Sequence, residues 1–165
     1  MRMTRKLLRF LRTLEYTTKI RKEIPELKNA MNNLPVLLQM ITSILQNLFT
    51  FLFFLSDHRV CLGELGVISK EALTLHYPRS MKFYFLQNLM GVLNNIISMA
   101  IKIHSSKDSG DVKKVVQAIK VYSFDLIKCL FDCIVALYYL KHNLPAGKIG
   151  ILGVITSIMG IMQSI

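Results

Sequence analysis

Chemistry in this sequence would have to come from four short stretches. Asp57 and His58 stand together beside Arg59, an arrangement that general acid–base catalysis can use. "HSSKD" at 104–108 holds His104 and Asp108 one residue too close for the His-x4-Asp spacing of an acyltransferase. Cys129 and Cys133 sit one helical turn apart, as a thiol pair would. "GKIGILG" at 147–153 is rich in glycine, but no strand precedes it, so it lacks the context of a nucleotide-binding fingerprint. His58, His76, His104 and His142 are scattered and show no paired metal-ligand spacing. None of these completes a catalytic constellation. Asp57–His58 reads as a helix end at a membrane surface, and the cysteines read as small core residues. No enzyme, metal or cofactor is expected.

The elements that would carry these residues are helical throughout, because the apolar period is three to four and never two. The chain has 165 residues, enough for one domain, 1–165. Hydrophobic residues make up 52% and charged residues 19%, and the mean hydropathy is +0.41, a balance that leans toward a membrane. Four stretches are uncharged or nearly so: 29–56, 83–101, 129–140 and 149–165. A mixed segment (57–82), a polar turn around 104–111 and a short break at 141–148 separate them. Pro25, Pro35, Pro78 and Pro145 are expected near helix starts or breaks.

The apolar stretches carry regular lines of neutral polar or small residues. In 37–58 the line is Gln39, Thr42, Ser43, Gln46, Asn47 and Thr50; in 83–102 it includes Gln87, Asn88, Gly91, Asn94 and Ser98. Toward the end it becomes Ala146, Gly150, Gly153, Ser157, Gly160 and Ser164, at heptad spacing. Helices in lipid gain no hydrophobic energy by associating; they associate through close packing at small residues and through interhelical hydrogen bonds. A charged line there would be too unfavourable. These lines are therefore expected to be helix–helix seams. A soluble bundle would place Lys and Glu on its outer faces, and 29–56 has neither.

Residues 34–55 would span about 33 Å, enough for a hydrocarbon core of about 30 Å. Residues 149–165 reach only about 26 Å, and 115–140 carries Lys120, Asp125, Lys128 and Asp132. The expected fold is therefore an all-α integral membrane protein: a basic amphipathic head, 1–31, and a body, 32–165, with two to four membrane-embedded helices. Residues 1–28 hold nine Lys/Arg and three Glu, more than half of the net charge of +11. If four helices cross, a cytosolic head puts fifteen basic residues inside and six outside, in line with the positive-inside rule.

The head itself, "MRMTRKLLRFLRTLEY", sets Arg2, Arg5, Lys6, Arg9 and Arg12 on one helical face and Leu7, Phe10, Leu11 and Leu14 on the other. That pattern fits a helix lying in an anionic membrane interface, and equally a basic face on a helix packed against its own protein. The cations are not interleaved with stacking aromatics, so no nucleic acid is expected as a partner.

Three motifs in this order resemble the peroxisomal biogenesis factor 11 family (peroxin-eleven). They are "TRKLLRFLRTLE" at 4–15, "FLFFLSDHRVCLGELGVI" at 51–68 and "YYLKHNLPAGKIGILGVITSIMGI" at 138–161. Where the family commonly has an aromatic after Asp-His, this chain has Val60, Cys61 and Leu62. The resemblance implies an integral protein of the peroxisomal (or glycosomal) membrane with cytosolic termini. It implies elongation of the organelle membrane before fission, homo-oligomerisation, and recruitment of a fission adaptor and a dynamin-like GTPase. Two alternatives remain: a membrane channel subunit for small metabolites, its polar lines facing a water path, and a mitochondrial translocase-type protein.

Overall fold

A computed structural model describes the backbone of residues 2–108, 112–141 and 146–162, and side chains at 12–69, 71, 73–106, 112–141 and 149–162. Five helices account for nearly all of it: α1 Arg2–Ala30, α2 Leu34–Glu64, α3 Lys70–Asp108, α4 Val112–Lys141 and α5 Ala146–Met162. No strand occurs among the described residues.

The turn between α1 and α2 is built from local chemistry. Asn33 has an extended backbone (φ −131°, ψ 95°), and its side-chain oxygen accepts from the Val36 N–H at 3.5 Å. Pro35 follows within the first turn, where a missing N–H removes no helical bond. The end of α2 is a Schellman motif. The Val67 N–H donates to the Leu62 carbonyl (2.9 Å) and the Gly66 N–H to the Gly63 carbonyl (3.0 Å). Gly66 stands at φ +75°, which a side chain would strain.

Three boundary expectations need correction. Asp57–His58 is not a helix end, since α2 runs on to Glu64, and the stop is set by Gly66. The mixed segment 57–82 divides, in keeping with its helical period, between α2 and α3 around the turn at 65–69. Pro25 and Pro78 lie inside α1 and α3. Both prolines are exposed, and so are Arg21 and Thr74, whose carbonyls lose their helical partner. Surroundings can satisfy those carbonyls, so the helices continue. Residues 104–108 are likewise the last turn of α3; 109–111, like Pro145, lie outside the described residues.

Among the described residues, close backbone approach occurs only between consecutive helices: α1 on α2, α2 on α3, α3 on α4, α4 on α5. The chain folds back and forth as a curved layer rather than a closed barrel of helices. Its interior is mixed, with Phe54, Val60, Ala136, Ile149 and Met159 buried among polar side chains. The buried set includes Thr42, Thr50, Ser80, Asn88, Ser98, Ser106, Asp132 and Thr156. Exposed instead are Leu34, Leu38, Ile41, Leu48, Leu55 and Leu62 down one line of α2, and Val116, Ile127, Leu130, Ile134 and Leu137 down one line of α4. α2 is long and apolar enough to cross a membrane by length and composition, and Ile149–Met162 is a shorter apolar helix.

Candidate functional site

On α1, Thr13, Tyr16, Ile20, Glu23, Leu27 and Ala30 are buried or half-buried, and every other residue from Arg12 to Asn29 is exposed. The spacing three, four, three, four, three makes one helical line, and it rests on α2. Tyr16 packs on Phe54, ring centroids 5.7 Å apart. The Glu23 carboxylate accepts from Ser43 Oγ at 3.0 Å and from Asn47 Nδ2 at 3.0 Å through each oxygen. On the exposed side, Lys19 bonds Glu15 at 2.7 Å, and the pair raises the ammonium's pKa and lowers the carboxyl's through that hydrogen bond.

Leu14 is on the opposite side of α1 and is 63% exposed. By helical register Leu7, Phe10 and Leu11 share its face, and further along that face come Arg21, Lys22 and Lys28, all exposed. The outward surface of α1 thus carries Leu14 and, further along, Arg21, Lys22 and Lys28. Arg2, Arg5, Lys6 and Arg9 fall by register on the line that turns toward α2 further along. The side chains of residues 1–11 lie outside the described residues; Arg12 is exposed. Arg21, Lys22 and Lys28 carry little signal of their own in the sequence, since the denser cationic run before them makes the more regular line.

The polar line of α2 divides between two neighbours. Gln39 Nε2 donates to Ser98 Oγ at 2.8 Å, and Thr42 Oγ1 donates to Asn94 Oδ1 at 3.3 Å, both across to α3. Thr50 is buried and donates to its own helix at Gln46 O, 2.7 Å. Ser43 and Asn47 turn the other way, to Glu23 on α1. Gly91 is where three helices crowd: a Cβ there would stand 2.9 Å from Cys129 Sγ and 3.0 Å from Gln46 Nε2. Cys129 accepts from Asn95 Nδ2 at 4.0 Å, and Cys61, Cys129 and Cys133 are all free thiols.

Farther along, the layer curves around a polar cavity of about 480 Å³. Arg12 and Tyr16 reach it from α1, Gln46, Thr50, Phe53 and Phe54 from α2, Tyr84, Gln87 and Asn88 from α3, and Lys128, Asp132 and Tyr139 from α4. Lys128 Nζ stands 3.7 Å from the buried Asp132 carboxylate. Gln87 Oε1 is buried without a hydrogen-bond partner.

The small-residue line of α5 does not meet the rest of the chain along its length. A Cβ on Gly150 or Gly153 would meet open space, Ser157 is exposed, and only Gly160 nears another helix, at Lys128 Cε. α5 instead turns Ile149, Thr156 and Met159 inward. Ala146 and Ser164 have side chains outside the described residues. Among the described residues no three His, Cys, Asp or Glu side chains converge to hold a metal.

No curated protein and no solved structure matches the chain. A family model does, over residues 1–165, under the description Peroxisomal biogenesis factor 11 (PEX11). That family consists of biogenesis factors rather than of known enzymes, and it brings with it a role in peroxisome biogenesis and an association with the peroxisomal membrane. With the full length matched, the chain belongs to the peroxisomal biogenesis factor 11 family.

Proposed function

We propose that this protein is embedded in the peroxisomal membrane and elongates it before fission, with α1 as the wedge and both termini in the cytosol. The observation that carries the reading is the two-sidedness of α1. One line of it docks on α2 through Tyr16 and Glu23, while the Leu14 face points away from the protein. Wedging Leu7, Phe10, Leu11 and Leu14 into one leaflet expands that leaflet and favours curvature. Arg21, Lys22 and Lys28, exposed on the same side, then meet anionic headgroups, each contributing about 1 kcal/mol near the surface. The exposed leucine and isoleucine lines of α2 and α4, with Thr42 and Thr50 buried on α2 and Asp132 on α4, support a lipid environment for the body. α2, held beside α1 through Glu23 at its middle, is then embedded along the same leaflet, with α3, α4 and α5 contributing one to three more embedded helices. The open line Gly150, Gly153 and Ser157 fits a seam against a second copy, and a fission adaptor and a dynamin-like GTPase follow as partners from the family.

A channel is the second reading, and the polar cavity is what favours it. Against it, Gln39, Thr42, Asn94 and Ser98 spend their hydrogen bonds on one another rather than lining an open path. Two mutants separate the readings. Leu7→Ser with Leu11→Ser, overproduced and imaged, should leave peroxisomes round and few. Gln46→Leu with Asn94→Leu should still elongate them, both proteins reaching the organelle at equal levels. If the head mutant tubulates normally and the second alone loses solute flux in reconstituted vesicles, the channel replaces the wedge.

A further inference from the structure

The hairpin of α1 and α2 sets a condition on how α2 meets a bilayer. Three contacts fix its register: the turn in which the Asn33 N–H donates to the Ala30 carbonyl, Glu23 on Ser43 and Asn47, and Tyr16 on Phe54. Between these contacts Arg21 and Lys22 lie opposite the middle of 34–56, a stretch of α2 without a charge. Lys19 and Glu26 flank them, and Lys28 follows toward the turn. All five are exposed. A bilayer crossed by α2 with α1 docked would therefore hold five exposed charges within its hydrocarbon core.

The other neighbour of α2 sets no such condition. Gln39 meets Ser98, Thr42 meets Asn94, and Phe53 packs on Tyr84 with ring centroids 5.2 Å apart. The uncharged part of α2 thus lies along 83–101 of α3, which is also uncharged and is bounded by Lys82 and Lys102. An α2–α3 pair is compatible with crossing, and an α1–α2 pair is not. Magnitudes decide what gives way. One Arg or Lys at the centre of a spanning helix lowers insertion about a hundredfold, so Arg21 and Lys22 together lower it about ten-thousandfold. Glu23 is half-buried and holds α1 in place by only about a hundredfold. For α2 to cross, shedding α1 is the easier course than drawing it through.

We propose that α1 is a strap that holds α2 in the plane of the membrane. While Glu23 is docked on Ser43 and Asn47, the charges of α1 keep the pair at the surface. Once α1 lets go, α2 crosses with α3 beside it. The strap rests on the membrane reading above and adds to it a second position for α2, one that the docking of α1 forbids.

The test uses the full chain in vesicles of phosphatidylcholine and phosphatidylserine. Asn32→Cys and Leu65→Cys, at exposed positions just outside the two ends of α2, serve as reporters. A membrane-impermeant maleimide is added outside, and labels per chain are counted by intact mass. With α2 in the plane both reporters share a side, so each chain takes two labels or none. With α2 across, each chain takes one, whichever way it was inserted. The chain without reporters gives the background from Cys61, Cys129 and Cys133. The expected count is two or none. Arg21→Leu with Lys22→Leu removes exposed charge without touching the line that docks on α2. Ser43→Ala with Asn47→Ala removes the donors to Glu23 and leaves every charge in place. Each pair should raise the single-labelled fraction by about tenfold or more, and Lys113→Gln, exposed on α4, should not. Single labels throughout the reporter chain overturn the strap. So does either pair of substitutions that labels as the reporter chain does. The wedge fails separately, by normal tubulation with Leu7→Ser and Leu11→Ser, since the labelling reads topology whether or not the membrane is bent.

Discussion

Replacing Glu23 by leucine should detach α1 from the rest of the molecule. Glu23 is the only acid on the inner line of α1, and its carboxylate takes hydrogens from Ser43 and Asn47 at 3.0 Å. A hydrogen bond to a charged group is worth about 1.5–3 kcal/mol, so two donor groups set a ceiling of about 3–6 kcal/mol. Glu23 is only half-buried, and water or headgroups recover part of that, leaving about 2–3 kcal/mol. The ratio of docked to detached α1 then falls by about 30- to 150-fold. Leucine and glutamate have nearly equal helix propensity, so α1 as an isolated helix is unaffected. Tyr16 on Phe54 remains, but an aromatic pair holds only about 0.5–1.5 kcal/mol beyond its burial. The assay is amide hydrogen exchange on the full chain in nanodiscs, read over Ile20–Leu27. A detached, highly charged helix frays, so exchange there should accelerate by up to the same factor while α2 and α3 hold. Glu23→Gln keeps an acceptor and should fall between. Wild-type exchange in Glu23→Leu would refute the docking argument, and so would Glu23→Gln exchanging as fast as the leucine variant.

The packing supports three further predictions. Gly91→Ala should lower the melting temperature, because the new methyl meets Cys129 and Gln46 at about 3 Å and overpacking is destabilising by about 1–3 kcal/mol. Gly153→Leu with Ser157→Leu, whose Gly153 faces open space, should leave the melting of the single chain unchanged but reduce cross-linking between copies. A double-mutant cycle of Gln39→Leu and Ser98→Ala, measured by unfolding in bilayers, should return a coupling of about 0.6 kcal/mol, and a value of zero would remove that 2.8 Å bond from the stability of the α2–α3 pair.

The all-helical character and a helix start near Pro35 were legible in the sequence, because period and proline are local signals. The stop at Gly66 was equally local; "GELG" held it, and the conspicuous Asp57–His58 drew the boundary seven residues early. The prolines misled for a different reason. Whether a helix survives Pro25 or Pro78 depends on where the stranded carbonyl faces, which only the packed structure decides. The polar line of α2 could be seen, but not its division between α1 and α3. A line of residues three and four apart has two edges, and which neighbour takes each edge depends on the turn before α2. Glu23 carried no signal, since a lone glutamate among lysines looks like solvent-facing charge. The line Gly150–Gly160 was visible as small residues, yet nothing in it told an internal seam from a surface left open.

The back-and-forth course of the chain bears on how it is made. Among the described residues no close backbone approach joins helices more than one apart in the order, so none of those interfaces must wait for a distant partner. Each hairpin can close as soon as its second helix has left the ribosome, and the loop entropy of every closure is small. Stability then accumulates interface by interface, as in a repeat array. Removing α5 subtracts one term at the edge. Severing the turn at 65–69 removes the connection that makes α2 and α3 find each other, and the two halves are left to meet by diffusion in the plane.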